Sequence, residues 1–316
     1  MAIDKCTCLG NGGNTGTPSC LTLFGDASGF AFTELVATDG TKKEYNILDA
    51  TSFGTSFMDD FVNTEISKRL LPVSGLRNVD FPQEEVQYVT DNSGQKEFLR
   101  DGILSFSGEA WNKNSVFASK INASRCKNNG VFVATDKGVW GVRVSDFSAN
   151  TFTWQPVPIT ALFAQWMPQK PGQDIEKVMV GFDFTNRLEV GELWLMTWEE
   201  LGMTPQDFAL EGLQDVNFIE TNAPAAGVTT TASYRLITDY GSNYSDEQNV
   251  DGKVTADFTA TNLTTGLALA GFSATEVVDD DYDFEWTPET PGDTIEIKMA
   301  ISATNKFEGV IEFVEP

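Results

Sequence analysis

Residues Gly130–Val144 read GVFVATDKGVWGVRV. Two runs rich in β-branched and aromatic residues flank Asp136-Lys137-Gly138. Such a pair of runs, joined by a short connection that ends in glycine, is a β-hairpin signal. It is the clearest of several. Phe30–Ala37, the turn Asp39-Gly40 and Lys43–Ile47 predict another hairpin, since Asp-Gly readily takes the φ > 0 geometry of tight turns. Glu85–Thr90, Asp91–Gly94 and Lys96–Arg100 predict a third, and Lys177–Phe184 adds a further strand. Helical patterns are few. Ser56–Leu70 puts Phe57, Phe61, Thr64 and Lys68 on one side, with Met58, Val62 and Ile66 beside them. Ser115–Arg125 is a shorter candidate. Thr204–Gly212 opens with a threonine cap, a first-turn proline and nearby acids, the signature of a helix start.

Beyond Thr221–Gly227, a small-residue stretch that reads as a linker, the composition changes. Residues 216–316 hold eighteen acids against four bases. Val254, Ala256, Phe258 and Ala260 alternate with polar residues, as do Tyr282, Phe284 and Trp286, then Ile295, Ile297 and Met299. Val310, Ile311 and Phe313 do so less strictly. Turn clusters at intervals of about ten residues complete a β-sandwich pattern. The expected fold is therefore mainly β. It comprises a Gly/Cys-rich arm over residues 1–25, a β-sandwich or barrel-type assembly domain with a few short helices over 26–220, and an immunoglobulin-like β-sandwich over 228–316. No cysteine pair brackets Trp286, so the core disulfide of antibody domains is not implied.

A chain of 316 residues has room for two cores, and its 41% hydrophobic and 11% aromatic content is that of a globular protein. No run approaches the roughly 20 apolar residues that span a bilayer. Met1–Lys5 does not lead into an apolar segment, so a soluble protein made in the cytoplasm, without membrane attachment, is expected. The chain has no histidine and a formal charge of −25. Ser-His-Asp, Cys-His and His-ligated metal chemistries are thereby excluded. The charge opposes a sequence-independent grip on nucleic acid, whose phosphates bind through Lys and Arg, but it permits proximity without adhesion.

The four cysteines are Cys6, Cys8, Cys20 and Cys126. Their C-x-C-x11-C spacing with a remote fourth member is not that of paired zinc knuckles. Cys126 lies between Arg125 and Lys127, yet a catalytic thiol lacks a His partner here. The favoured reading is that small thiols pack a glycine-rich arm against the body of the protein. Asp279–Glu285 raises calcium, but the glycine and glutamate of a calcium loop are missing. Asp279, Asp281, Asp283 and Glu285 would instead share one solvated strand face opposite Tyr282, Phe284 and Trp286. Gly10-Asn-Gly-Gly precedes no strand–helix unit and reads as flexible arm. The sequons at Asn122, Asn243 and Asn262 carry no meaning without secretion. No catalytic, cofactor or metal site is expected, and no enzyme.

Phe98–Glu109, Ser124-Arg125-Cys126 and Gly130–Asp136 resemble a pattern of virion structural proteins of tailed bacteriophages. Asp257–Gly266 is similar to the immunoglobulin-like modules such proteins append. The resemblance spans residues 80–316 and is closest to a major tail tube subunit. It implies ring-forming β-sandwich or barrel subunits, a long hairpin lining a lumen, and an external immunoglobulin-like domain. It further implies homo-oligomers, contacts with other virion proteins, and DNA passing through without specific binding. The part before residue 220 is larger than a minimal tube subunit, which leaves a capsid or connector role open. A surface carbohydrate-binding β protein is the competing class, with Trp140, Trp154 and Trp166 as its sugar platform.

Overall fold

The computed structural model describes residues 27–47, 53–85, 87–90, 95–100, 102–146, 151–168, 175–185, 193–204, 213–238, 249–278, 281–301 and 306–316. The arm with Cys6, Cys8 and Cys20 lies outside them, as do Asp279 and nearly all of the helix expected over 204–212. Strands dominate, with a few short helices between them. The chain divides into two units, Met1–Glu211 and Gly212–Pro316.

The first unit begins with β1 (Ala27–Glu34), β2 (Tyr45–Asn46), α1 (Phe53–Asp59), β3 (Leu71–Val73) and β4 (Leu76–Asp80). Next come β5 (Gln87–Thr90), β6 (Lys96–Arg100), β7 (Ser105–Trp111) and α2 (Ser115–Ala123). The expected hairpin over 130–144 is β8 (Asn129–Thr135) paired with β9 (Gly138–Asp146), through Val133–Trp140 and Ala134–Val139. The unit continues with β10 (Thr151–Gln155), β11 (Val157–Met167), β12 (Lys177–Phe184), β13 (Leu193–Thr197) and α3 (Trp198–Leu201).

Every residue of β8 is buried. Successive side chains of a strand point to opposite faces, so an unbroken apolar run requires cover on both. Val131 and Val133 face a core containing Phe30, Phe106, Trp140, Val180 and Phe182. Phe132 and Ala134 face a second core with Tyr45, Phe57, Leu70 and Trp154. In the first, the Phe106 and Phe182 rings stack 4.7 Å apart; in the second, Phe132 and Trp154 lie at 4.4 Å. Each such ring contributes about 2 kcal/mol through burial.

Two layers enclose the first core. One contains β1, β8, β9 and β13; the other runs β11-β12-β7-β4. They are joined by β11, which changes partners along its length. Val157 and Pro158 pair with β8, whereas Ile159 to Met167 pair with β12. The register slips between Thr160 and Phe163, where Ala161 adopts φ 51°. A bulge of this kind lets one strand turn a corner between packed sheets. The helix α2 closes one side. Its cap Asn114 accepts from the Val116 and Phe117 amides, and Ala118 and Ile121 enter the core.

Two local expectations are corrected. Asp39-Gly40 does turn, with Gly40 at φ 85° and a Val36–Lys42 bridge, but β1 pairs with β3 and β8. Tyr45-Asn46 pairs with β10 instead. Both edges of β1 are occupied by longer, better-buried ladders. The helix over 56–70 breaks at Asp59 into single 3₁₀ turns at Asp60–Val62 and Ile66–Lys68. The break brings Asp60 to Lys43 and Tyr45, at 2.5 and 2.6 Å.

The second unit is a sandwich. Its strands are β14 (Gln214–Ala225), β15 (Thr230–Thr238), β16 (Phe258–Asn262), β17 (Leu267–Ala268), β18 (Ser273–Val278), β19 (Asp281–Trp286), β20 (Thr294–Met299), β21 (Phe307–Glu308) and β22 (Val310–Val314). One sheet runs β18-β19-β15-β14-β21 and the other β17-β16-β20-β22. Tyr234, Tyr282, Phe284 and Trp286 from the first share a core with Phe258, Ile295, Ile297 and Met299 from the second. The stretch read as a linker is strand through Ala225, because its small residues pair with β15 as far as Thr231. The alternation expected from Val254 starts only at Phe258. Asp257 accepts from the Val254 amide at 2.9 Å and winds residues Thr255–Asp257 into a 3₁₀ turn.

Candidate assembly surface

Between β4 and β7 the chain leaves its sheet as a ribbon. Phe81 and Leu104 pack against the first core at its root, the Phe81 ring 5.2 Å from Phe106. The two arms are tied there by Glu84 N–H donating to Ile103 O and Ser105 N–H to Pro82 O, at 3.0 and 2.9 Å. At Gly102 the arms come so close that a Cβ would sit 1.8 Å from the Glu84 carbonyl oxygen, so only glycine fits. Beyond the root, β5 and β6 form a two-stranded sheet and, among the described residues, pair with no other strand.

The ribbon follows from its residues. Tyr88, Val89 and Thr90 favour extended backbone, which accounts for the hairpin seen in the sequence. Tyr88 is 55% exposed and Val89 50% exposed. Because neighbours on a strand point oppositely, these two half-exposed side chains lie on opposite faces of the ribbon. Isolated two-stranded hairpins are marginal in water and are stabilised by a third strand or a packed face. Residues 83–104 carry five acids and two bases, charges of the kind that keep an exposed ribbon soluble.

The neighbouring sheet face is held by Glu109. Its Oε1 accepts from Lys177 Nζ at 2.6 Å, and its Oε2 accepts from Asn78 Nδ2 at 2.8 Å and Trp111 Nε1 at 3.0 Å. The Lys177 bond, followed by that from Trp111, holds the Glu109 carboxyl below the usual carboxylate range. Arg77 lies over the Trp111 ring at 4.4 Å. Asn78 adopts φ 51° and the β4–β7 register slips beside it, so β4 is bulged. Bulges re-aim strand edges. This one fixes the strand that feeds the ribbon.

Other polar clusters are internal fastenings. The Lys43 ammonium bonds Asp60 and the Lys68 carbonyl, and Tyr45 and Asn63 also bond Asp60. Burial lowers the Lys43 pKa and raises that of Tyr45. Nothing in the spacing of residues 43, 45 and 60 announces this cluster. Asp281 pairs with Arg235 at 3.1 Å and Asp283 accepts from Ser233 at 2.6 Å, while Tyr282, Phe284 and Trp286 are fully buried. Cys126 is exposed, and Lys127 beside it pairs with Glu34 at 2.6 Å. Trp140 and Trp154 lie in different cores, and only Trp166 of the three proposed platform residues is exposed, at 41%. Among the described residues no group of three or more His, Cys, Asp or Glu is placed to hold a metal, and no helix is long and apolar enough to cross a membrane.

Neither a protein-family model nor a curated protein matches this chain.

Proposed function

We propose that this chain is a non-enzymatic structural subunit that self-assembles into rings or a tube. On the resemblance noted above it is a virion component, and the best-fitting role is a tail tube subunit around a DNA conduit. The observation that carries the assembly reading is the β5–β6 ribbon, which pairs with no other described strand and has half-exposed Tyr88 and Val89 on opposite faces. A strand from a neighbouring copy adds backbone hydrogen bonds and apolar cover to such a ribbon. The formal charge of −25 supports a conduit, because an acidic wall does not grip passing phosphates. Partners are other copies of this chain and further virion proteins, and the destination is the particle. Negative-stain electron microscopy of purified protein tests this reading. Rings or stacked tubes are expected, and a field of single particles of monomer size contradicts it.

A further inference from the structure

Residues 110–135 contain Lys113, Lys120, Arg125 and Lys127 and no acid, within a chain of net charge −25. This segment runs from the end of β7 through α2 and its flanking turns to the end of β8. Ala118 and Ile121 face the core, while Ser115, Ser119 and Ala123 are exposed at spacings of four. Lys120 is half-buried beside that stripe, and Arg125 is exposed on the turn that follows. Lys127 is balanced by Glu34, and Lys113 lies over the Phe117 ring at 5.6 Å. The result is a helix face with short side chains, which permits close approach, edged by cations on an otherwise acidic protein.

Its complement is carried by the same chain. Residues 212–316 hold nineteen acids and four bases. Asp281, Asp283 and Glu285 line the outer side of β19, where Arg235 is the cation paired with Asp281. Opposite surface potentials on two copies of one protein favour a heterologous, head-to-tail contact. A phosphate polymer is a poorer occupant, since the field of the whole chain repels it. We propose that the exposed face of α2, with Lys120 and Arg125, docks on the acidic Gly212–Pro316 unit of a second copy of this chain. The proposal rests on the assembly reading above and names one of its contacts.

The test uses the full chain, wild type and the double variant Lys120→Glu/Arg125→Glu, by sedimentation from about 0.05 to 0.5 M salt. Wild type should associate less as salt rises. The variant should associate at least tenfold more weakly and lose most of that salt dependence. Circular dichroism and the thermal midpoint should match wild type. If they do not, Lys120→Gln/Arg125→Gln is read in its place. A variant with wild-type affinity and salt slope overturns the proposal while leaving the assembly reading intact. A wild type that is monomeric at every salt concentration overturns both. Labelled duplex DNA supplies the last arm: retardation by wild type but not by the variant assigns the surface to phosphates and overturns the proposal.

Discussion

The Asn122 side chain bonds both backbone groups of Ala164. Its Nδ2 donates to the carbonyl at 2.7 Å, and its Oδ1 accepts from the N–H at 2.9 Å. The amide thus imitates a neighbouring strand along β11 and covers an edge that would otherwise be open. Asn122→Ala should cost about 2–3 kcal/mol, because both backbone groups lose their partner in a half-buried site. Asn122→Asp should cost as much, since a carboxylate accepts from the N–H but repels the carbonyl. Urea denaturation of the full chain measures both, and a change below about 0.5 kcal/mol for Asn122→Ala contradicts this role.

Glu109 gives the first unit an acid-sensitive element. Its pKa is lowered in the folded protein, so its stabilisation is present above the unfolded value of about 4.3 and is lost as pH falls through the folded value. Glu109→Gln should flatten the stability profile below about pH 4.5, and should cost about 2 kcal/mol at neutral pH. Stability curves at a series of pH values report it. An unchanged acid limb in the variant would argue that other carboxylates dominate.

Two tyrosines of the second unit make a matched pair. The Tyr282 hydroxyl donates to Val250 O at 2.7 Å and accepts from Lys253 N–H at 3.1 Å. The Tyr234 hydroxyl is buried without a hydrogen-bond partner among the described residues. Tyr282→Phe should therefore destabilise by about 1–2 kcal/mol, and Tyr234→Phe should be neutral or stabilising. Calorimetry on the two variants checks the order, and a larger loss for Tyr234→Phe reverses the argument.

The buried Glu315 carboxylate accepts from Thr230 Oγ1 at 2.7 Å, Trp286 Nε1 at 3.0 Å and the Glu289 amide at 3.1 Å. Removing it in Glu315→Ala leaves buried donors unpaired and should cost about 3 kcal/mol or more. Glu315→Gln retains the shape and one acceptor oxygen, so its loss should be smaller. Equal thermal midpoints for wild type and Glu315→Ala would refute the fastening role.

The parts of this fold that were legible in the sequence are those whose partners are close along the chain. Gly130–Val144 joins its two strands through a two-residue connection, and Tyr282, Phe284 and Trp286 alternate without interruption, so local pattern and tertiary burial agree. The partner of β1 was not legible, because Phe30 pairs with Val133 across about a hundred residues and no short-range signal encodes that choice. The helix over 56–70 had the right apolar spacing, yet the requirements of Lys43 and Tyr45 for Asp60 override propensity. The small residues at 221–225 gave a composition signal for a linker, but strand pairing is made by backbone groups, which composition does not report. The β5–β6 hairpin was visible as a hairpin. That it stands apart from both layers follows only from where its root leaves the sheet.

The most direct measurement of the assembly reading is the mass of the full chain by light scattering across a concentration series, with Tyr88→Ala/Val89→Ser alongside wild type. Both residues are exposed and outside either core, so the monomer fold should survive, with an unchanged circular dichroism spectrum. The account predicts that wild type grows into multimers of defined size and that the ribbon variant remains smaller at every concentration. A wild-type chain that keeps the mass of one 34.6 kDa subunit throughout, or a variant that assembles as readily as wild type, would contradict it.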